Sequence, residues 1–278
     1  MLFAVWVFNG GPNRAIQVSR SLDDGATWSV PYDLSAAGGN AYNPRLATLP
    51  DGTIMATWQR YSLPDSIVQT SRSTDGGATW SAPVDLSAVG EGSYDAQVAV
   101  AADGTIAVTW VRGDGAERIV QASTSSNGGA TWSAPADLSA AGFYSDAPQL
   151  AVSADGSFTV AWKRNVAANS ILEVATLSAA GASWSAPLQL SQSTGSVDQI
   201  DAAAGTGAVT VAWQRNDGLG ANSVQASTLP VTAAAVPGLA PGGTDVAPVA
   251  LAGAVLLALG GALVLRRRHY ALSCSVTP

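Results

Sequence analysis

Residues 71–83 read SRSTDGGATWSAP, and the same pattern occurs fifty-two residues earlier as SRSLDDGATWSVP (19–31) and fifty-two later as STSSNGGATWSAP (123–135). A fixed period of this length is the mark of a repeat architecture. All nine tryptophans obey it: Trp28, Trp80, Trp132 and Trp184 close the quoted stretch, while Trp6, Trp58, Trp110, Trp162 and Trp213 each end a short apolar run. The step is 52 residues throughout, except for the last, which is 51. Gln17, Gln69, Gln121, Glu173 and Gln225 form a third series with a step of 52.

The second copy contains four short segments: PRLATL (44–49), TIMATWQR (53–60), SIVQTSRS (66–73) and WSAPVDL (80–86). Each alternates apolar with polar or small residues between Gly, Pro, Asp or Asn, which predicts short antiparallel strands. Asp51-Gly52, Asp103-Gly104 and Asp155-Gly156 supply the positive-φ positions of a tight hairpin between the first and second strands. Four strands per 52-residue unit predict an all-β chain, a β-propeller of about five four-stranded blades over residues 1–229. The first and last blades are expected to be incomplete. The first unit lacks a first strand and the fifth lacks a fourth, since residues 230–239 carry no tryptophan.

The motif itself falls between the third and fourth strands and reads as a turn. Short acceptors hold its amides, Gly77 takes a positive φ and Trp80 anchors it from below. Ser-x-Asp-x-Gly-x-Thr-Trp resembles the Asp-box, or bacterial neuraminidase repeat, of sialidase-like propellers. The fit is complete at Ser21, Asp23, Gly25 and Trp28 and at Ser73, Asp75, Gly77 and Trp80. Asn127 replaces the Asp in the copy with Gly129 and Trp132, and in the fourth copy little beyond Trp184 survives. The resemblance implies that the box is a structural turn remote from any active site.

Up to Asp245 the chain has ten basic and twenty acidic residues, a balance that argues against a nucleic-acid partner. Cys274, the single cysteine, excludes an internal disulfide. Residues 230–245 read as a Pro/Gly/Ala linker, and residues 246–265, VAPVALAGAVLLALGGALVL, as an uncharged apolar run. Twenty residues at 1.5 Å rise match the ~30 Å hydrocarbon core of a bilayer. Arg266, Arg267 and Arg268 then place residues 266–278 in the cytoplasm and the propeller outside. This end resembles a Gram-positive cell-wall sorting signal, with LPVTA (229–233) or LAPGG (239–243) near the sortase motif. The resemblance implies a surface protein, with sortase as a possible partner. Met1 aligns with the first residue of a second strand, which predicts an upstream signal peptide and a segment like residues 80–104 that closes a five-bladed ring.

In a four-stranded meander, the boxes and the Asp-Gly turns share one face, so a ligand is expected on the other. There Arg60, Arg112, Arg164 and Arg215 each follow a strand tryptophan by two residues, and Asn43, Asp95, Asp146 and Asp198 precede the first strands. Arginines in a ring could grip carboxylates bidentately, as the sialidase resemblance implies, or could pair with nearby acids to fix strand ends. Glu173 breaks the glutamine series, and Glu91 and Glu117 are the only other glutamates. Arg60, Arg112, Arg164, Arg215, Asp95, Asp146 and Glu173 are therefore the candidate ligand contacts. The resemblance also implies an Asp acid and a late Tyr nucleophile activated by Glu. No tyrosine lies between Tyr144 and Tyr270, and the Arg-Ile-Pro motif of the family is absent. His269 is the only histidine, so no histidine-dependent hydrolase or metal site is expected outside, and no cofactor motif occurs. The reading is a noncatalytic surface propeller for a glycan or protein ligand. The alternative is an exo-sialidase or related glycoside hydrolase completed by an upstream segment.

Overall fold

The computed structural model describes residues 1–62, 65–113, 117–179, 183–205, 207–218 and 221–230. These residues form five antiparallel sheets, with no helix among them. The first sheet contains β1 (Leu2–Phe8), β2 (Ala15–Ser21) and β3 (Tyr32–Asp33). The second contains β4 (Asn40–Thr48), β5 (Ile54–Ser62), β6 (Asp65–Ser73) and β7 (Val84–Asp85). The third contains β8 (Ser93–Val100), β9 (Ile106–Arg112), β10 (Ile119–Ser125) and β11 (Ala136–Asp137). The fourth contains β12 (Ser145–Val152), β13 (Phe158–Val166), β14 (Asn169–Leu177) and β15 (Leu188–Gln189). The fifth contains β16 (Ser196–Gly205), β17 (Ala208–Asn216) and β18 (Asn222–Pro230). Each is a simple meander, and among the described residues the first and the fifth sheets have three strands. Residues 231–239, part of the stretch expected to lack a fourth strand of the fifth unit, lie outside the described residues. The expected linker, membrane span and tail lie outside the described residues, among which no helix is long and apolar enough to cross a membrane. Leu229 and Pro230 of the LPVTA stretch are described, as the end of β18.

The sheets pack in chain order, and the apolar clusters lie between neighbours. Ile16 and Val18 of the first sheet meet Ile54, Trp58 and Trp80 of the second. Met55 and Val68 of the second meet Ile106, Val108 and Trp110 of the third. Trp162 packs with Val120 and Ala122 across the next boundary, and Trp213 with Leu172 and Val174 across the last. Trp58, Trp110, Trp162 and Trp213 are thus sealed between two sheets, the first three at 0 % exposure, whereas Trp6 of the first sheet is only partly buried.

The glutamine series satisfies those buried indoles. Trp58 Nε1 donates to Gln69 Oε1 at 3.2 Å, and Gln69 Nε2 donates to Asp85 Oδ1 at 2.6 Å. The same three-strand ladder joins Trp110, Gln121 and Asp137. Trp213 donates to Gln225, and Gln17 to Asp33, by the same rule. A buried N–H without a partner is costly, and the two-headed amide of glutamine suits a position that must accept and donate at once.

The turns are built as their residues predict. In the second box Ser73 Oγ donates to Asp75 Oδ1 at 2.8 Å and accepts the Gly77 amide at 2.8 Å. The Asp75 carboxylate also accepts the Thr79 amide at 2.9 Å and hydroxyl at 2.6 Å. Asn127 reproduces this net with one donor reversed, its Nδ2 donating to Thr131 Oγ1 at 2.8 Å. These bonds hold the Asp23 carboxyl down at about 2, first through Thr27, and lower Asp75 in the same way through Thr79. Each box tryptophan packs toward the preceding sheet, as Trp80, Trp132 and Trp184 do. Trp28 departs from the packed anchor expected of it. It belongs to the first sheet, meets no other sheet among the described residues and is 45 % exposed.

Candidate functional site

Every first strand of the second to fifth sheets carries a β-bulge near its start, at Tyr42/Arg45, Tyr94/Gln97, Asp146/Gln149 and Asp198/Asp201. At each bulge one non-glycine residue has a positive φ: Asn43 (51°), Asp95 (56°), Ala147 (53°) and Gln199 (49°). These positions keep the period of 52, and a bulge re-aims side chains at a sheet's rim. The alignment of Asn43, Asp95, Asp146 and Asp198 as equivalents therefore needs correction. Asp146 and Asp198 sit one residue before the positive-φ position. Successive strand side chains point to opposite faces, so their carboxylates leave the backbone differently from that of Asp95.

The shift brings Asp146 directly across from Lys163 in the ladder between β12 and β13. Lys163 Nζ lies 3.4 Å from Asp146 and 3.6 Å from Asp198 of the fifth sheet. On the other side stands Arg118, whose guanidinium lies 4.2 Å from the Tyr144 ring centre and 4.9 Å from that of Tyr94. Asp95 completes the group. Burial, and then the charge of Asp146, push its carboxyl above the ordinary carboxylate range, against the pull of Arg118 and Arg45. Burial likewise pushes the Tyr94 phenol up, and its buried hydroxyl has no hydrogen-bond partner among the described residues. Three sheets thus contribute cations, carboxylates and aromatic rings to one site at the end opposite the boxes.

The four arginines of the candidate ring are not alike. Arg112 lies between Glu91 (3.6 Å) and Asp137 (3.7 Å). Arg164 pairs with Glu173 at 2.8 Å and stacks over Phe143 at 4.6 Å. Arg215 donates to Thr194. No ion pair to Arg60 occurs among the described residues, and its buried Nε is unbonded. Glu173 is 6 % exposed and accepts the Trp162 indole at 3.2 Å, so it takes the place of glutamine in the ladder. Its carboxylate replaces the missing acid of the fourth strand, where Gln189 stands instead of Asp85 or Asp137. Among the candidate ligand contacts, Asp95 and Asp146 meet at the Lys163 cluster. Glu173 and Arg164 form a pair at the base of the fourth sheet.

Lys163, Arg118, Tyr94 and Tyr144 escaped the sequence reading. The available signal was departure from the repeat: Lys163, the only lysine, stands where Gln59, Val111 and Gln214 stand in other units. Arg118 occupies the position of Arg14, which lies over the Tyr42 ring at 5.0 Å, and of Ser66 and Ser170, whose hydroxyls bond the next first strand at Ser93 and Val197. Among the described residues no group of acidic, His or Cys side chains could hold a metal ion.

The family model of the BNR repeat-like domain matches residues 1–227. The chain belongs to the BNR repeat-like domain family. No curated protein matches the sequence. Among solved structures, this BNR repeat-like domain is similar to an α-L-arabinanase from Penicillium chrysogenum complexed with arabinobiose. That match has a TM-score of 0.55 and 16 % identity and covers 82 % of this chain and 77 % of the arabinanase. A polysaccharide lyase, an ulvan lyase, matches with a TM-score of 0.56 and 13 % identity, over 77 % of this chain and 58 % of its own. A Dyadobacter fermentans protein of unknown function matches with a TM-score of 0.54 and 16 % identity, over 79 % of this chain and 69 % of its own. At such identities the likeness concerns the fold, a propeller-type stack of antiparallel sheets.

Proposed function

We propose that this BNR repeat-like domain binds a glycan, without turning it over, at the Lys163 cluster opposite the boxes. The observation that carries the reading is where the repeat breaks. Lys163, with no basic counterpart in the other units, bridges Asp146 and Asp198 of adjacent sheets, and Arg118 lies against two tyrosine rings where its counterpart Arg14 lies over one, Tyr42. A residue shared by every unit serves the unit, whereas a ligand site needs asymmetry. Carboxylates and cations side by side can accept and donate to sugar hydroxyls, and tyrosine rings offer flat apolar faces to the ring C–H groups. The fold neighbours named for arabinan and ulvan fit a carbohydrate ligand. The domain would work at a cell surface, anchored through residues 246–265, and sortase attachment would use LPVTA (229–233).

A glycan array probed with the wild type and with Arg118→Ala tests this. Selective capture that is lost in the variant supports the reading. Absence of any capture, or capture indifferent to Arg118, contradicts it. A second reading, a glycoside hydrolase or lyase, draws on Asp95, whose raised carboxyl could hold a proton for a leaving group. Release of product from a fluorogenic sialoside, arabinan or ulvan, abolished by Asp95→Asn, would favour that reading over simple binding.

A further inference from the structure

The boundaries between sheets on the Asp-box face are not equivalent. Between the first and second sheets, Arg20 Nη1 donates to the carbonyl of Gly76 in the next box at 2.7 Å. Between the second and third, Arg72 Nη1 reaches Gly128 in the same way at 3.1 Å. The two bonds span 56 residues each and tie neighbouring sheets together at the rim. One period later the residue is Thr124, too short to cross. Beside Thr124 a cleft of about 360 Å³ opens between the third and fourth sheets, larger than the cleft of about 300 Å³ that Arg20 lines at the first boundary.

Its walls carry a definite chemistry. Trp132, partly exposed, is the aromatic wall, the buried Phe158 lies at the floor, and Thr124, Ser126 and Ser178 bring hydroxyls. Asp103 adds a carboxylate, held toward the cleft by bonds from the Thr105 amide (2.8 Å) and hydroxyl (3.0 Å). A carboxylate has about four acceptor positions, so two remain for a ligand. No Lys, Arg or His lines the cleft, and an anion beside Asp103 would be repelled. Small hydroxyls, one acceptor and an indole face in a volume near the lower end of ~300–1,000 Å³ suit a small polyol ring.

We propose that this cleft is a second saccharide site, which takes a neutral sugar unit on the face opposite the Lys163 cluster. It stands independently of the function proposed for that cluster, because no residue is shared. The repeat supplies the control substitution: Thr124→Arg should put into the cleft the long side chain that Arg20 and Arg72 carry at the same position of other units.

The test is an NMR titration of the full chain with maltotriose, xylotriose and arabinotriose, following the Trp132 indole resonance. A saturable Trp132 shift with at least one of them is expected, weakened by about tenfold or more in Thr124→Arg. Lys163→Gln should leave that shift unchanged, which separates the two sites. Should Thr124→Arg fail to fold, Thr124→Met fills the same space without a charge and is expected to have the same effect. No Trp132 shift with any of the three sugars overturns the proposal. So does a shift that survives in the filled variant, or one that disappears with Lys163→Gln.

Discussion

At the scale of single residues, the natural variation among units doubles as a set of controls. Asn127 holds its box with nearly the bonds that Asp75 makes, so Asp75→Asn should leave the melting temperature almost unchanged, whereas Asp75→Ala should lower it. The same pair predicts a pH effect. The Asp23 carboxyl is depressed to about 2, so its contribution is present above the ordinary value of 3.8 and is lost as pH falls through that interval toward 2. An acid titration of stability with Asp23→Asn beside the wild type should show the variant less sensitive over this window. Asp95 behaves in the opposite sense. Its raised carboxyl costs stability as pH rises above 3.8, so Asp95→Asn should raise the melting temperature at neutral pH, a gain that vanishes at acid pH. Asn43 already occupies the equivalent positive-φ position, so the substitution brings no backbone strain.

At the scale of strands and turns, most of the fold was legible in the sequence, because a 52-residue period repeats each local cue four or five times. Tryptophan spacing, Asp-Gly turns and alternation located the strands, and the alignment of Met1 with a second strand matches the three strands of the first sheet. The bulges could not. They depend on a backbone conformation that Asn43, Asp95, Ala147 and Gln199 adopt alike, and no shared side chain marks it. The glutamine series was visible but unexplained until the ladder placed Gln69 between Trp58 and Asp85. Gln69→Leu should therefore cost about 1–3 kcal/mol by chemical denaturation, since it strands a fully buried indole N–H. Trp80, 9 % exposed in the cluster between the first two sheets, is expected to cost roughly 3–5 kcal/mol when cut to alanine. Ligand capture by the Trp80→Ala protein that remains folded should be unaffected, as the box lies at the far end of the sheet from Lys163.

Across the whole molecule, the recurring residues build sheets and seal their boundaries, and the departures from the repeat gather at two places. The arginine ring drew attention in the sequence because it is regular. The Lys163 cluster was overlooked because its members come from different strands of three sheets, and only the packing of β8, β12 and β16 brings them together. The most direct measurement is a calorimetric titration of wild type and Lys163→Gln with the glycan selected on the array. Glutamine is the residue of two other units at this position, Gln59 and Gln214, so the variant should fold with only a modest fall in melting temperature. The expected result is a loss of affinity of at least about tenfold, 1.4 kcal/mol, in the folded variant. Equal affinity of the two proteins would contradict the assignment of binding to the cluster and return the ligand to the repeated surface.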